Sequence, residues 1–289
     1  MKATRLLDLT VCRGPTDAER WIRLRVTLGM NRCIRKLLFQ KMGTGGKKTN
    51  TVKQIISTVV TAIAISLAMT AARAEQKKPN ILFILGDDLG YGDLRCCGHS
   101  IIQTPSLDKL ASEGVRFTDY HSASNNCSPS RTAILTGRHP YRVGIYDFLS
   151  AKKPFFLHPE EKCVASMLKS AGYQTMFSGK WHLGTLEEGS DRFASPGNFG
   201  FDYWFANESN FPRDPKTLVR NGKPVGQLGG SQATLTAQKC INWLKGDHRD
   251  REKPFCIFLW MNESHSPITP SEEWSRRYDS DEIRNAAKN

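Results

Sequence analysis

The chain has 289 residues, 39% of them hydrophobic, enough to bury one large domain or two small ones. Its formal net charge of +13 points to a nucleic-acid binder only until the charge is located: residues 1–78 hold 16 Lys/Arg against 4 Asp/Glu, and the rest of the chain holds 25 against 24. The body of the protein is close to neutral, which removes the case for binding nucleic acid.

The basic excess belongs to a leader. Lys53 opens a stretch from Ile55 to Met69 that no charge interrupts, and Ala72-Arg73-Ala74 gives a small-x-small pattern before Glu75. That is the composition of a cleavable secretory signal. The run falls short of the roughly 20 apolar residues of a membrane span, so no stable membrane anchor is expected. A start at Met42 gives a leader of ordinary length with Lys47, Lys48 and Lys53 at its basic end. Residues 1–41 are then an extension outside the fold, 42–74 the signal peptide cleaved near Ala74, and 75–289 the exported domain. Of the eight cysteines none has zinc-site spacing, and Cys256, inside an apolar run, reads as a small core residue.

Beyond residue 78 strands and helices alternate. Asn80 to Leu85 is a continuous apolar run, as in a strand buried on both faces, and it stops at Gly86-Asp87-Asp88. Thr104 and Pro105 start a helix with Leu107, Leu110 and Ala111 as its apolar stripe and Gly114 at its end. Val115 to Tyr120 reads as a strand. Pro159 and Glu160 open a helix through Leu168. Tyr173 to Phe177 is a strand leading to Gly179-Lys180. Residues 185–230, rich in Gly, Pro and Asn, read as loops over the sheet. Ser231 to Leu244 is helical, with Ala233, Ala237, Ile241 and Trp243/Leu244 facing inward. Phe255 to Met261 is a buried strand ending before Asn262-Glu263-Ser264-His265. The alternation predicts an α/β fold with a mostly parallel central sheet flanked by helices.

Three segments therefore deliver polar groups to the edge where ligands bind in such sheets: Asp87/Asp88, Lys180/His182 and His265. Adjacent carboxylates at a strand exit suit a hard cation, or equally a solvated turn. Cys127-Ser128-Pro129-Ser130-Arg131, continuing to Thr136-Gly137, places a thiol at a helix N-terminus. There free N–H groups and the dipole favour an anion and lower a thiol pKa. Arg131, one turn on, offers bidentate contacts to an oxyanion. This is an anion site with a candidate nucleophile, or a capped helix with a buried Cys. Lys180 and His182, two residues apart, fall on one side of an extended segment and suit binding an anionic ester and protonating its leaving group. Each has a plainer alternative, a solvated Lys and a structural His, and so has His265.

Cys127 to Arg138 resembles the sulfatase signature C-x-P-S-R-x-x-x-x-T-G, in which six fixed positions at fixed spacing leave little room for chance. Asp87-Asp88-Leu89-Gly90-Tyr91-Gly92, Gly179-Lys180-Trp181-His182-Leu183-Gly184 and His265-Ser266-Pro267 follow in the family's order. The resemblance spans about residues 79–279 and implies an alkaline phosphatase-like fold and sulfate-ester hydrolysis. It further implies that a formylglycine-generating enzyme oxidises Cys127 to an aldehyde. One oxygen of the aldehyde's hydrate attacks sulfur and expels the alcohol, and the second hydroxyl then releases sulfate. By the same resemblance Asp87, Asp88 and the modified Cys127 bind Ca²⁺ rather than Mg²⁺. Arg131 holds the hydrate, Lys180 and His265 bind sulfate oxygens, and His182 positions the diol. The substrate is a sulfated small molecule or carbohydrate. The sequence departs from the family in stopping at Asn289, before the Asp-Asn pair that completes the metal site and before the C-terminal subdomain. Two further readings stand beside the sulfatase: a phosphonate or phosphodiester hydrolase of the same superfamily, and a truncated, non-catalytic product.

Overall fold

A computed structural model of the chain describes residues 7–13, 20–26, 57–59, 61–62, 78–150, 153–208, 213–246, 249–281 and 283. The chain forms two compact units, Met1–Gln76 and Lys77–Asn289. In the first, β1 (Leu7–Arg13) and β2 (Arg20–Val26) pair antiparallel. The expected signal peptide and its cleavage point after Ala74 lie almost wholly outside the described residues. No helix among the described residues is long and apolar enough to cross a membrane.

The second unit is built on a six-stranded sheet of order β3-β8-β4-β5-β6-β7. Four strands run parallel: β3 (Ile81–Gly86), β8 (Phe255–Met261), β4 (Gln174–Lys180) and β5 (Tyr203–Asn207). The two-residue strands β6 (Val219–Arg220) and β7 (Lys223–Pro224) add an antiparallel edge. The helices are α1 (Pro105–Glu113), α2 (Cys127–Thr136), α3 (Val164–Ser170), α4 (Gln232–Lys245) and α5 (Glu272–Arg277).

The strand alternation explains the layers. Met176, Ile257 and Leu259 point to one face and pack on Cys240 of α4. Phe177, Phe258 and Trp260 point to the other and join Leu135, Ala165, Trp181 and Phe201 in the larger core. In that core Phe177 meets Trp181, Phe201 and Trp260 at ring separations of 5.1, 5.5 and 5.1 Å. Cys256 is fully buried in this core, and burial pushes its thiol up to about 12.

Several expectations are corrected. β3 is not covered on both faces: Leu82 and Ile84, on the same face as Ile257 and Leu259, are 54% and 48% exposed, because α4 packs on β8 and β4. Val115 to Tyr120 forms no strand. Its β-prone residues find no pairing partner among the described residues, and Phe117 and Tyr120 stay exposed. The α1 stripe is not packed away, with Leu107 and Leu110 both exposed. Thr104 holds the N-cap position of α1, but its hydroxyl makes no cap bond to the helix backbone; it donates to Asp108 Oδ1 at 2.8 Å and accepts from the Arg95 N–H. The helix after Pro159 begins only at Val164, with Cys163 at its N-cap position. In α4, Ala237, Trp243 and Leu244 pack inward as expected beside the buried Gln232, Thr236 and Cys240, whereas Ile241 is exposed. Residues 185–230 also hide β5, whose Trp204, Phe205 and Ala206 are buried.

Candidate active site

Strand register brings the candidate residues together. Gly86 pairs with Met261, Gly179 with Trp260 and Lys180 with Asn207, so these four strand ends form one rim. Asp87 extends β3 by donating its N–H to Met261 O at 3.1 Å. Gly179 lies at φ +121°, and a Cβ there would meet Trp260 O at 1.8 Å. Only glycine lets β4 approach β8 this closely just before it delivers Lys180.

Asp87, Arg131 and Lys180, each at most 5% exposed, form the heart of the site. Arg131 Nη2 donates to Asp87 Oδ1 at 2.8 Å and Lys180 Nζ to Asp87 Oδ2 at 2.6 Å. Arg131 Nη1 donates to Lys180 O at 2.7 Å, and its guanidinium lies 4.9 Å over the Trp260 ring. Burial by itself raises the Asp87 pKa, yet the Arg131 and Lys180 charges and hydrogen bonds outweigh it and hold the carboxyl below its ordinary range. Two cations around one carboxylate leave a net positive centre, as an anion site requires.

Cys127 is the first residue of α2, and Lys180 Nζ stands 3.5 Å from its Sγ. Its thiol is not activated as the helix position alone suggests. Burial raises its pKa, Asp87 and Asp88 add to that, and the lowering by Lys180 and Arg131 does not compensate. As a plain thiol this residue is a poor nucleophile at neutral pH. The residues on either side are tied to the following loop. Asn126 Nδ2 donates to Asp147 Oδ1 and the Leu149 N–H donates to Ser128 Oγ, each at 2.9 Å.

His182 does not continue the extended strand. It sits at φ +56°, and its Nε2 pairs with Leu149 O at 2.8 Å. The expectation that Lys180 and His182 share a side through extended geometry is therefore replaced by a turn. Burial, with Lys180 nearby, lowers the His182 pKa to about 4, so the ring is neutral at neutral pH. Its Nδ1 is buried without a hydrogen-bond partner. Asp88 is also left-handed, at φ +60°, and its Oδ2 is 3.5 Å from His265 Nε2. Backbone in this region is uncommon for side-chain-bearing residues and collects at functional sites.

An Asp87 carboxylate oxygen, Cys127 Sγ and a His265 nitrogen lie within 4.8 Å of one another. With Asp88 on the same turn, this set fits a divalent cation. Each Asp87 oxygen keeps a lone pair beyond its bond to Arg131 or Lys180. Asn262, fully buried directly after Met261, has both amide atoms unpartnered. Sequence reasoning passed over Asn262, Ser128 and Trp260. Only the inward phase of Trp260 along β8 signalled a role.

The sulfatase family model matches residues 79–288. Human arylsulfatase A is 48% identical over 239 residues, covering 74% of this chain and 46% of that protein. The N-acetylgalactosamine-6-O-sulfatase of Bacteroides thetaiotaomicron is 35% identical, covering 66% and 38%. The solved structure of BT4656 with its substrate D-glucosamine-2-N,6-O-disulfate superposes with a TM-score of 0.57 at 31% identity, covering 67% of this chain and 36% of that one. The chain thus spans less than half the length of these relatives.

Proposed function

Because this chain belongs to the sulfatase family, we propose that it hydrolyses sulfate esters, its nucleophile a formylglycine made from Cys127. The observation that carries this reading is the Asp87–Arg131–Lys180 triad beside Cys127, a buried, net-positive cradle against a thiol that burial holds in its protonated form. Such a residue makes sense as the precursor of something else. An aldehyde there supplies, as its hydrate, a nucleophilic oxygen and a second hydroxyl that releases sulfate. A divalent cation held by Asp87 and Asp88, Ca²⁺ in our reading, would acidify that oxygen and offset sulfate charge.

The chain's own residues do the rest. Lys180 stands within reach of both Asp87 and position 127, so its ammonium faces the charge that develops on a transferring sulfuryl group. Arg131 fixes Asp87 and, through Lys180 O, the end of β4. His182 is neutral and held by Leu149 O, which leaves its Nδ1 lone pair to accept a hydrogen bond from the hydrate and position it. His265, joined to Asp88, closes the sulfate side. The same reading includes export, with cleavage near Ala74, a formylglycine-generating enzyme as partner, and a sulfated small molecule or carbohydrate as substrate.

The test is peptide mass spectrometry across Cys127 after co-expression with a formylglycine-generating enzyme, joined to turnover of 4-nitrophenyl sulfate and of an aryl phosphodiester. The expected result is a peptide about 18 Da lighter than the thiol form and cleavage of the sulfate alone. Faster cleavage of the phosphodiester, or sulfate turnover with an unmodified Cys127, overturns the proposal.

A further inference from the structure

The loop after α2 carries rings that the sulfate site does not use. Phe148, Tyr146 and Tyr141 are 44%, 58% and 56% exposed. A single exposed ring is ordinary, but these touch in series. His139 meets Tyr141 at 5.1 Å, Tyr141 meets Tyr146 at 5.4 Å, and Tyr146 meets Phe155 at 6.4 Å. Lys153 Nζ bridges the remaining gap, 3.7 Å from the Phe148 ring and 6.0 Å from Phe155. The backbone beneath is anchored, since Pro140, Val143, Ile145 and Leu149 are buried between the outward rings.

The strip runs into the site. Asp147 is hydrogen-bonded to Asn126 and Leu149 to Ser128, so the two residues flanking Phe148 in sequence are tied to the two flanking Cys127. Leu149 O also holds His182. We propose that this strip is a carbohydrate subsite that stacks the pyranose rings adjoining a sulfated one. The proposal rests on the sulfatase reading of Cys127. A pyranose has an apolar C–H face and a polar rim. Rings with polar tips match both features, and the ammonium of Lys153 beside them is already paired with Asp147, so the rings carry the recognition. A purely aliphatic alcohol would leave the tyrosine hydroxyls unmatched.

The test titrates the full chain calorimetrically with tetrasaccharides of chondroitin sulfate and heparin, and records saturation transfer from protein to sugar C–H protons. Wild type is expected to bind at least one tetrasaccharide and to show transfer to rings beyond the sulfated one. Tyr141→Ala/Tyr146→Ala should weaken that affinity about tenfold and remove this transfer, with an unchanged urea midpoint, and Tyr146→Trp should restore both. Failure of wild type to bind any tetrasaccharide, or equal affinity in the double variant, overturns the proposal. The sulfatase reading fails separately, if wild type carrying formylglycine leaves 4-nitrophenyl sulfate intact.

Discussion

Arg131 and Arg138 are seven residues apart and make the same kind of ion pair in opposite surroundings. Arg131 and Asp87 are 1% and 5% exposed, whereas Arg138, paired with Glu161, is 46% exposed. Removing Arg131 leaves the buried Asp87 carboxylate with Lys180 alone and strips a cation from over Trp260. Arg131→Ala should therefore cost about 3–5 kcal/mol by urea unfolding, and Arg138→Ala no more than about 1 kcal/mol. Equal losses would show that the triad is not the buried network described. His182 gives a pH signature of known sign. Its pKa is about 4 when folded and about 6.5 when unfolded. Between these values the unfolded chain binds a proton that the native chain refuses, so stability falls as pH drops through this window and is complete above it. The contribution is at most about 3 kcal/mol. Unfolding midpoints between pH 7 and 4 should drop less steeply in His182→Gln. Asp87 adds a further loss in the same direction at lower pH, because its folded pKa is depressed.

Among the described glycines, Gly179 leaves the least room for a Cβ. Gly179→Ala puts a Cβ against Trp260 O, a backbone atom that cannot turn aside, at a positive φ that alanine resists. We expect it to cost more than about 2 kcal/mol by urea unfolding. Gly189→Ala, also at positive φ but with open space around it, should cost only about 1 kcal/mol. Glycine-Lys at a strand exit was legible in the sequence, as were the limits of β8 and the start of α2 at Cys127. Those signals are local: apolar runs, a proline in the first helical turn, a glycine after the last. What was not legible depended on partners distant in sequence. β5 was lost because its five residues sit among Gly, Pro and Asn, and its strand character comes from pairing with β4. Val115 to Tyr120 was misread for the converse reason, having the propensity without a neighbour. The lowered thiol pKa expected of Cys127 failed because the helix position says nothing about burial or about the two aspartates opposite.

Burial is distributed unevenly over the second unit. The middle of β8 is sealed on both sides, with Ile257 and Trp260 at 0% exposure, whereas β3, one strand away, turns Leu82 and Ile84 to solvent. Leu110, Val115 and Phe117 add to this apolar exposure at 62%, 84% and 71%. Side chains that lose little water on folding contribute little to stability but remain available for self-association. The two properties should therefore separate on mutation. Leu82→Glu/Leu110→Glu should leave the urea midpoint within about 0.5 kcal/mol of wild type, while lowering both anilinonaphthalene sulfonate fluorescence and the light-scattering mass. Ile257→Ala, in the sealed layer against α4, should cost about 2–5 kcal/mol without first altering association. If the surface pair destabilised the fold as much as Ile257→Ala does, those leucines would be packed in solution, and the asymmetry between β3 and β8 would be wrong.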